Sequence, residues 1–550
     1  MNRYFELEKS GILYTYSDDS YYNNNDNKKK RKILIDWIVD ISDDLNSNLN
    51  VIYSATTYLD IVLNKMKTSK DLQTIAGICY LLSNKLYDNH ILSIDLLLYY
   101  CNGGSTKELM LKYEKIVLNI LDYNLILPTI YTFYEYYVSL LINDDDDDYR
   151  SIIMFNKEII DIFKFINIKI EFIKFLPSVL VLSVLYSIVS EKFIIKNFKY
   201  NIEYIKKLNK YIYILYKNYD PNNNYIDIND YIDINDYMYI NDYIDINDDN
   251  IYKPKMFNSI KNNIDTRNIY KEKKISNYNN KIIYKVKYNN NNYVLKKMKN
   301  NKYDIDGINY TNLREIGYLN FCNHENIINI LDITYKNNGH TYIYYMDYYT
   351  NTLENIIKNM IKHPEISNIF KQLIYAVQYI HNNNIYHRDI KPENILINNN
   401  NNKYILKLID FETCKIYNKS IQSPGHTTLW YRSPELLLNK KYNKSCDIWS
   451  CGCILVELYT YIPLFTGMSD IYMIKNIIEI IGIDSMKYYY DEIKYIKLQK
   501  KTNISLAYIL KNIDNNISEH VISLVTNMLI PNYNNRITAD QILLSNYFKL

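Results

Sequence analysis

The densest group of chemically capable side chains is His387-Arg388-Asp389-Ile390-Lys391-Pro392-Glu393-Asn394. A carboxylate, an ammonium and a carboxamide stand close together in it at Asp389, Lys391 and Asn394. Downstream come Leu408-Ile409-Asp410-Phe411-Glu412 and Leu429-Trp430-Tyr431-Arg432-Ser433-Pro434-Glu435. Upstream lie Val294-Leu295-Lys296-Lys297 and Gly307-Ile308-Asn309-Tyr310-Thr311-Asn312-Leu313-Arg314-Glu315. Oxygen donors for a hard cation, carboxylates able to take a proton and cations able to neutralise phosphate are the materials of phosphoryl transfer. The bland alternative is a chance HxD in a helical protein. The ordered set HRDxKPxxN, DF and WYRxPE argues against it.

Particular elements must hold these groups. Ile366, Ile369, Phe370, Leu373, Ile374, Val377 and Ile380 recur at helical spacing before the HRD run, and Ile395–Ile397 follows it as a strand. Short runs at Ile282–Lys287, Tyr293–Met298 and Thr341–Met346 predict strands around one helix near 309–320. Helices dominate from there to the end. A small mixed lobe before a larger helical lobe makes one bilobed α+β domain over 269–550.

Residues 31–218 read as helices. Ile33, Leu34, Trp37, Ile38 and Ile41 predict one apolar helix face, and similar stripes run through Val51–Leu63, Leu72–Leu82 and Leu109–Leu121. Pro128 and Pro177 mark helix starts. Phe175–Ser190 is the longest uncharged run, shorter than the ~20 residues of a membrane helix, and reads as a buried core helix. Asp144–Asp148 predicts a solvated loop rather than a calcium site. The YIDIND-type repeats from Tyr225 to Asp248 read as an acidic linker, and a basic stretch from Lys253 to Lys274 follows.

At 550 residues the chain is too long for one core, and 48% apolar residues exclude a wholly disordered one. A net charge of +3 argues against a dedicated nucleic-acid binder. The cysteines, 7 in all and without a CxxC pair, read as reduced thiols of cytosol or nucleus. Only 11 glycines against 62 tyrosines points to the coding bias of an AT-rich genome, as in some viruses and protists. Each surviving glycine is then informative.

The C-terminal segments resemble the catalytic parts of eukaryotic protein kinases. That resemblance implies Asp389 as the acceptor of a substrate hydroxyl proton and Lys391 as a neutraliser of the transferred phosphoryl. It implies Asn394 and Asp410 as ligands of Mg²⁺ on ATP, and a Lys296–Glu315 ion pair aligning the phosphates. The segment ending at Glu315 is similar to the PSTAIRE helix of cyclin-dependent kinases. His324-Glu325-Asn326-Ile327-Ile328, Asp447-Ile448-Trp449-Ser450-Cys451-Gly452-Cys453 and Pro463-Leu464-Phe465-Thr466-Gly467 resemble the same branch. By position Met346 resembles the gatekeeper, with hinge residues Asp347 to Tyr349. Ser423 falls at the family's activating phosphorylation position, with Arg314, Arg388 and Lys415 as the cations that grip the phosphate. Arg536 matches the arginine that pairs Glu435.

The departures from that pattern concern the nucleotide. Ser276, Tyr278 and Lys281 replace the three glycines of the nucleotide loop, Asn279 and Asn280 replace its inhibitory Thr-Tyr pair, and Glu412 replaces the glycine after the metal aspartate. Glycine normally lets backbone approach phosphate closely. Gly307, Gly452 and Gly467 remain where the pattern has glycine.

Arg31-Lys32-Ile33-Leu34-Ile35-Asp36-Trp37 resembles the first helix of a cyclin box, and Tyr58-Leu59-Asp60, Leu72–Lys85 and Tyr113–Leu121 resemble later ones. The resemblance implies a buried Arg31–Asp60 pair, Trp37 beside Leu34 and Gln73 in a docking patch, and kinase contacts from Lys85 and Glu114. Lys30 stands where that patch usually has methionine, and Lys28–Lys32 doubles as a weak nuclear-targeting pattern. Phe175-Leu176-Pro177-Ser178-Val179-Leu180 resembles the second cyclin fold.

The expected order is an extension over 1–27, a cyclin box over 28–127, a second cyclin-like repeat over 128–218, a linker over 219–268 and the kinase domain. The expected function is a Ser/Thr kinase activated by its own fused cyclin, using ATP and Mg²⁺ on protein substrates. Pairing is intramolecular, with a swapped dimer as its alternative; neither nucleic acid nor membrane is a partner. A pseudokinase scaffold and a cyclin module recruiting another kinase are the alternative functions.

Overall fold

The computed structural model describes residues 2–10, 21–141, 157–173, 175–186, 202–217, 270–278, 281–299, 307–336, 341–360, 363–400, 403–416, 429–495, 506–513 and 517–549. The aspartate run, the YIDIND repeats, most of the basic stretch and Ser423 lie outside them. The chain forms two compact units.

One unit, Tyr4–Asn84 with Leu92–Ser259, is helical throughout its described residues. Helices Asn25–Asp44, Leu49–Met66, Ile94–Cys101 and Lys107–Ile120 start on Asn24, Asn48, Ser93 and Thr106, whose side chains accept backbone N–H groups. Leu49–Met66 is buried along most of its length, including Val51, Ile52, Tyr58, Leu59 and Val62. Arg31 reaches Asp60 on that helix through Nε to Oδ1 at 2.8 Å and Nη2 to Oδ2 at 2.8 Å. Its remaining donors go to the carbonyls of Ile168 and Asn167, so one buried guanidinium ties three segments together.

The expected face of the first helix holds at Leu34, Ile38 and Ile41, which are buried, and fails at Ile33. Ile33 is 66% exposed, Ile35 is buried and Trp37 is half-buried. Both alternatives satisfy helical periodicity; the packing of Leu34, Ile35, Ile38 and Ile41 chooses between them. Pro177 opens the helix Pro177–Leu185, whose residues from Ser178 onward are all buried. Among the described residues no helix is long and apolar enough to cross a membrane.

The other unit comprises Met1–Arg3, Lys85–Ile91 and Ile260–Leu550. Its antiparallel sheet has strands β1 (Tyr270–Tyr278), β2 (Lys281–Tyr288), β3 (Asn291–Lys299), β4 (Asp332–Lys336) and β5 (Thr341–Asp347), ordered β1-β2-β3-β5-β4. The helix Tyr310–Phe321 follows Gly307, whose φ of +77° suits a residue without Cβ. The larger lobe is built on helices His363–Asn382 and Ser445–Thr460. Gly452 on the latter lies where an added Cβ would meet Leu529 Cδ2 at 2.9 Å and Met528 Cβ at 3.1 Å, so the glycine lets these residues pack closely. All seven cysteines are buried and free.

Candidate active site

Strand register places the first group. Lys296 on β3 lies opposite Ile283 on β2 and Tyr344 on β5. Side chains alternate with period two, so Lys281, Ile283, Lys296 and Tyr344 share one sheet face. Glu315, from the helix Tyr310–Phe321, is buried at 2% exposure against that face. Lys296 Nζ pairs with Glu315 Oε1, and Tyr344 Oη donates to the same oxygen at 2.7 Å. Lys281 Nζ lies 3.7 Å from the second oxygen, Glu315 Oε2. Burial alone would raise the Glu315 pKa, but the two ammonium groups and the phenol pull it down to about 2.

Lys281 also pairs with Glu412. The side chains at two of the lost glycine positions thus meet each other. Burial disfavours the Lys281 ammonium, yet Glu315, Glu412 and Asp410 together hold its pKa above the usual lysine value.

The second group surrounds Asp389. Lys391 Nζ lies 2.9 Å from Asp389 Oδ2, and Asn394 Nδ2 donates to that oxygen at 3.0 Å and to the Asp389 carbonyl at 2.9 Å. Fully buried Asp447 holds the segment: it accepts the His387 and Arg388 N–H groups at 2.9 and 2.8 Å and bonds His381 Nε2 at 2.9 Å. Those bonds stabilise Arg388 at a left-handed φ of +65°. Burial keeps His387 below the usual imidazole pKa, and its Nε2 bonds the Ile409 carbonyl at 3.0 Å.

Asp410 connects the two groups. Its φ is +67°, its Oδ1 is buried without a hydrogen-bond partner, and ligand oxygens of Asp410, Glu315 and Glu412 lie within 4.8 Å of one another. Burial pushes the Asp410 pKa to about 6; Lys296 opposes that and Glu315 and Glu412 add to it. An orphaned carboxylate oxygen amid like charges fits a hard divalent cation.

Met346 lies on β5 opposite Val294 and is nearly buried, Asp347 is exposed, and Tyr349 is half-buried. Glu435 and Arg536 are paired end to end at 2.8 and 3.0 Å, both side chains fully buried. Lys85 and Glu114 are buried.

The three cations expected to grip a phosphate already have partners. Within its unit, Arg314 donates to the carbonyls of Lys85 at 3.1 Å and Asp88 at 2.7 Å. Arg388 donates through Nε to the Thr413 carbonyl at 2.7 Å and through Nη1 to Tyr442 Oη at 2.8 Å, and Lys415 reaches Asn89. Burial, Arg388 and Arg314 lower the Lys415 pKa to about 7. The unfolded chain therefore binds the proton more tightly, and this group's penalty on folding fades as pH rises from about 7 towards 10.5. Lys415→Met is expected to raise the unfolding temperature at pH 6 and to have less effect at pH 10. An equal shift at both pH values would contradict that expectation.

Tyr344, His381, the pairing of Lys281 and the anchoring role of Asp447 were not singled out from sequence. Strand alternation could have placed Tyr344 and Lys281 beside Lys296. For His381 and Asp447, far apart in the chain, no local signal exists.

Residues 270–548 match the protein kinase domain family and residues 4–126 match the cyclin N-terminal domain family. Similar chains include the CTD kinase subunit alpha of Saccharomyces cerevisiae, 32% identical over 44% of this chain and 47% of its own length. Cyclin-dependent kinase 11B of Rattus norvegicus is 33% identical over 46% of this chain and 59% of its own. The probable CTD kinase subunit alpha homolog of Encephalitozoon cuniculi is 32% identical over 47% of this chain and 77% of its own. The chain belongs to the cyclin-dependent kinase family. It also carries a cyclin N-terminal domain in the same polypeptide. The chain spans about half the length of the first two family members named here. In this kinase domain the sheet lobe supplies Lys281, Lys296 and Glu315, and the helical lobe supplies Asp389, Asn394 and Asp410.

Proposed function

We propose that this protein is a Ser/Thr kinase held active by its own cyclin domain, transferring the ATP γ-phosphate to protein hydroxyls. The observation that carries the proposal is the closed Lys296–Glu315 pair, the contact that cyclin binding completes in this family. Arg314, directly before Glu315, is held within the same unit by the carbonyls of Lys85 and Asp88.

Asp389 takes the proton from the substrate hydroxyl at its carboxylate, oriented by Asn394 and Lys391. Lys391 then faces the transferred phosphoryl as its neutralising cation. Lys296 orients the α- and β-phosphates. Asn394 and Asp410 would hold Mg²⁺, which when bound neutralises charge on the triphosphate. Trp430-Tyr431-Arg432 resembles the family segment that favours Pro after the target residue.

Joining the two domains in one polypeptide raises the concentration of each experienced by the other to as much as about millimolar. Removing residues 1–220 is expected to abolish γ-phosphate transfer to a Ser-Pro peptide. Adding the removed half back in trans is expected to restore it at high concentration. A truncated kinase as active as the full chain would refute self-activation. Specific activity of the full chain should be independent of its concentration; a rise with concentration would favour the swapped dimer.

The second reading is a pseudokinase scaffold. The glycine losses at Ser276, Tyr278, Lys281 and Glu412 favour it. Phosphate transfer by the purified chain above that of its Asp389→Asn variant would exclude it.

A further inference from the structure

In kinases the nucleotide loop usually meets the phosphates with backbone N–H groups, an approach that glycine permits. Here Ser276, Tyr278 and Lys281 stand at the three glycine positions, so the backbone freedom that glycine gives that approach is absent. The same substitutions introduce a cation. Lys281 begins β2, lies opposite Met298 on β3, and shares the sheet face of Lys296. Its ammonium is carried into the carboxylate group that also holds Lys296. It pairs with Glu412 and lies 3.7 Å from Glu315 Oε2, with its side chain 18% exposed.

Burying a flexible ammonium this far is costly unless a partner compensates for lost hydration. Glu412, at the position after Phe411 where glycine is usual, is that partner, and its side chain is 31% exposed. The loss at Lys281 and the loss at Glu412 therefore form one compensated unit rather than two separate defects. Glu315 is bracketed by Lys281 and Lys296, one ammonium near each carboxylate oxygen. Lys296 alone satisfies the familiar pairing, so the second cation is surplus to it.

We infer that Lys281 is a second phosphate-binding lysine of this active site, held in position by Glu412, and that its side chain replaces the backbone contacts of the missing glycines. The ligand is the polyphosphate of a nucleoside di- or triphosphate. The inference rests on the kinase reading above. A lysine ammonium on a flexible stem reaches a phosphate without close backbone approach, which is the property the substituted loop lacks. Glu412 acts through Lys281 and is a positioning residue.

The test uses the full chain and equilibrium titration with ADP and ATP, with and without Mg²⁺, alongside thermal unfolding. Lys281→Met is expected to weaken nucleotide binding at least tenfold. Glu412→Gly, which restores the usual glycine but leaves Lys281 without its anchor, is expected to weaken it by a smaller factor. The paired variant K281M/E412Q is decisive, because it removes both charges and leaves neither residue of the pair without its partner. If the pair only braces the loop, the paired variant keeps native unfolding temperature and native binding. If Lys281 contacts phosphate, the unfolding temperature is kept while binding stays weak. Native-like binding by Lys281→Met or by the paired variant overturns the inference and leaves the kinase reading intact. Failure of the unmodified protein to bind either nucleotide overturns both.

Discussion

Asp389→Asn is expected to lower the rate of γ-phosphate transfer by about 10²–10⁴-fold while leaving the unfolding temperature nearly unchanged. The replacement keeps the shape of the side chain but removes its capacity to take a proton. In the native site, Asp389 Oδ2 receives both the Lys391 ammonium at 2.9 Å and the Asn394 amide at 3.0 Å. Asparagine retains one acceptor oxygen for Asn394 or Lys391, but not a charge for the lysine. Nucleotide affinity should change little, since Asp389 is assigned to the hydroxyl rather than to the triphosphate. Single-turnover transfer from ATP to a Ser-Pro peptide measures the effect. Equal rates for the two proteins would remove Asp389 from the chemistry and with it the proposed function.

The second large effect is on stability. Arg536→Ala is expected to destabilise the kinase unit by about 3–5 kcal/mol, since it leaves a buried carboxylate without its cation. Glu435 and Arg536 are both fully buried and joined by two hydrogen bonds at 2.8 and 3.0 Å. The guanidinium also donates to the carbonyls of Ile530, Pro531 and Ser445. Its removal strands acceptors from separate segments as well as the charge of Glu435. In thermal unfolding this should lower the kinase-unit transition by on the order of 10 °C. Glu435→Gln, which keeps one acceptor and removes the charge, should fall between native and Arg536→Ala. A loss below ~1 kcal/mol for Arg536→Ala would mean that water reaches Glu435 and that the pair is not the anchor its burial implies.

Much of the architecture was legible in the order of the residues. Ile366 through Ile380 required an amphipathic helix before HRD, and the structure has one at His363–Asn382. The runs at Tyr293–Met298 and Thr341–Met346 lie within β3 and β5. These patterns are local: a helix or strand declares which face it must bury within a few turns or alternations. The first cyclin helix shows the limit of such reasoning. Ile33 and Ile35 are equally apolar and two positions apart, and only the packing of neighbouring helices exposes one and buries the other.

The same division runs through the active site. Asp389, Asn394, Asp410, Lys296 and Glu315 could be named from the sequence because their types and order carry the family pattern. The glycine losses at Lys281 and Glu412 were visible too, but as two separate departures. Sequence distance concealed that they pair with each other, since an ion pair between β2 and the segment after Asp410 depends on strand register and on the fold that closes between them. Asp447 likewise gathers His381, His387 and Arg388 only once two helices of the larger lobe are packed together. Residue type and local period specify which groups are present and which elements carry them. Long-range packing specifies which charges meet, because a buried charge must find its partner wherever the fold brings one.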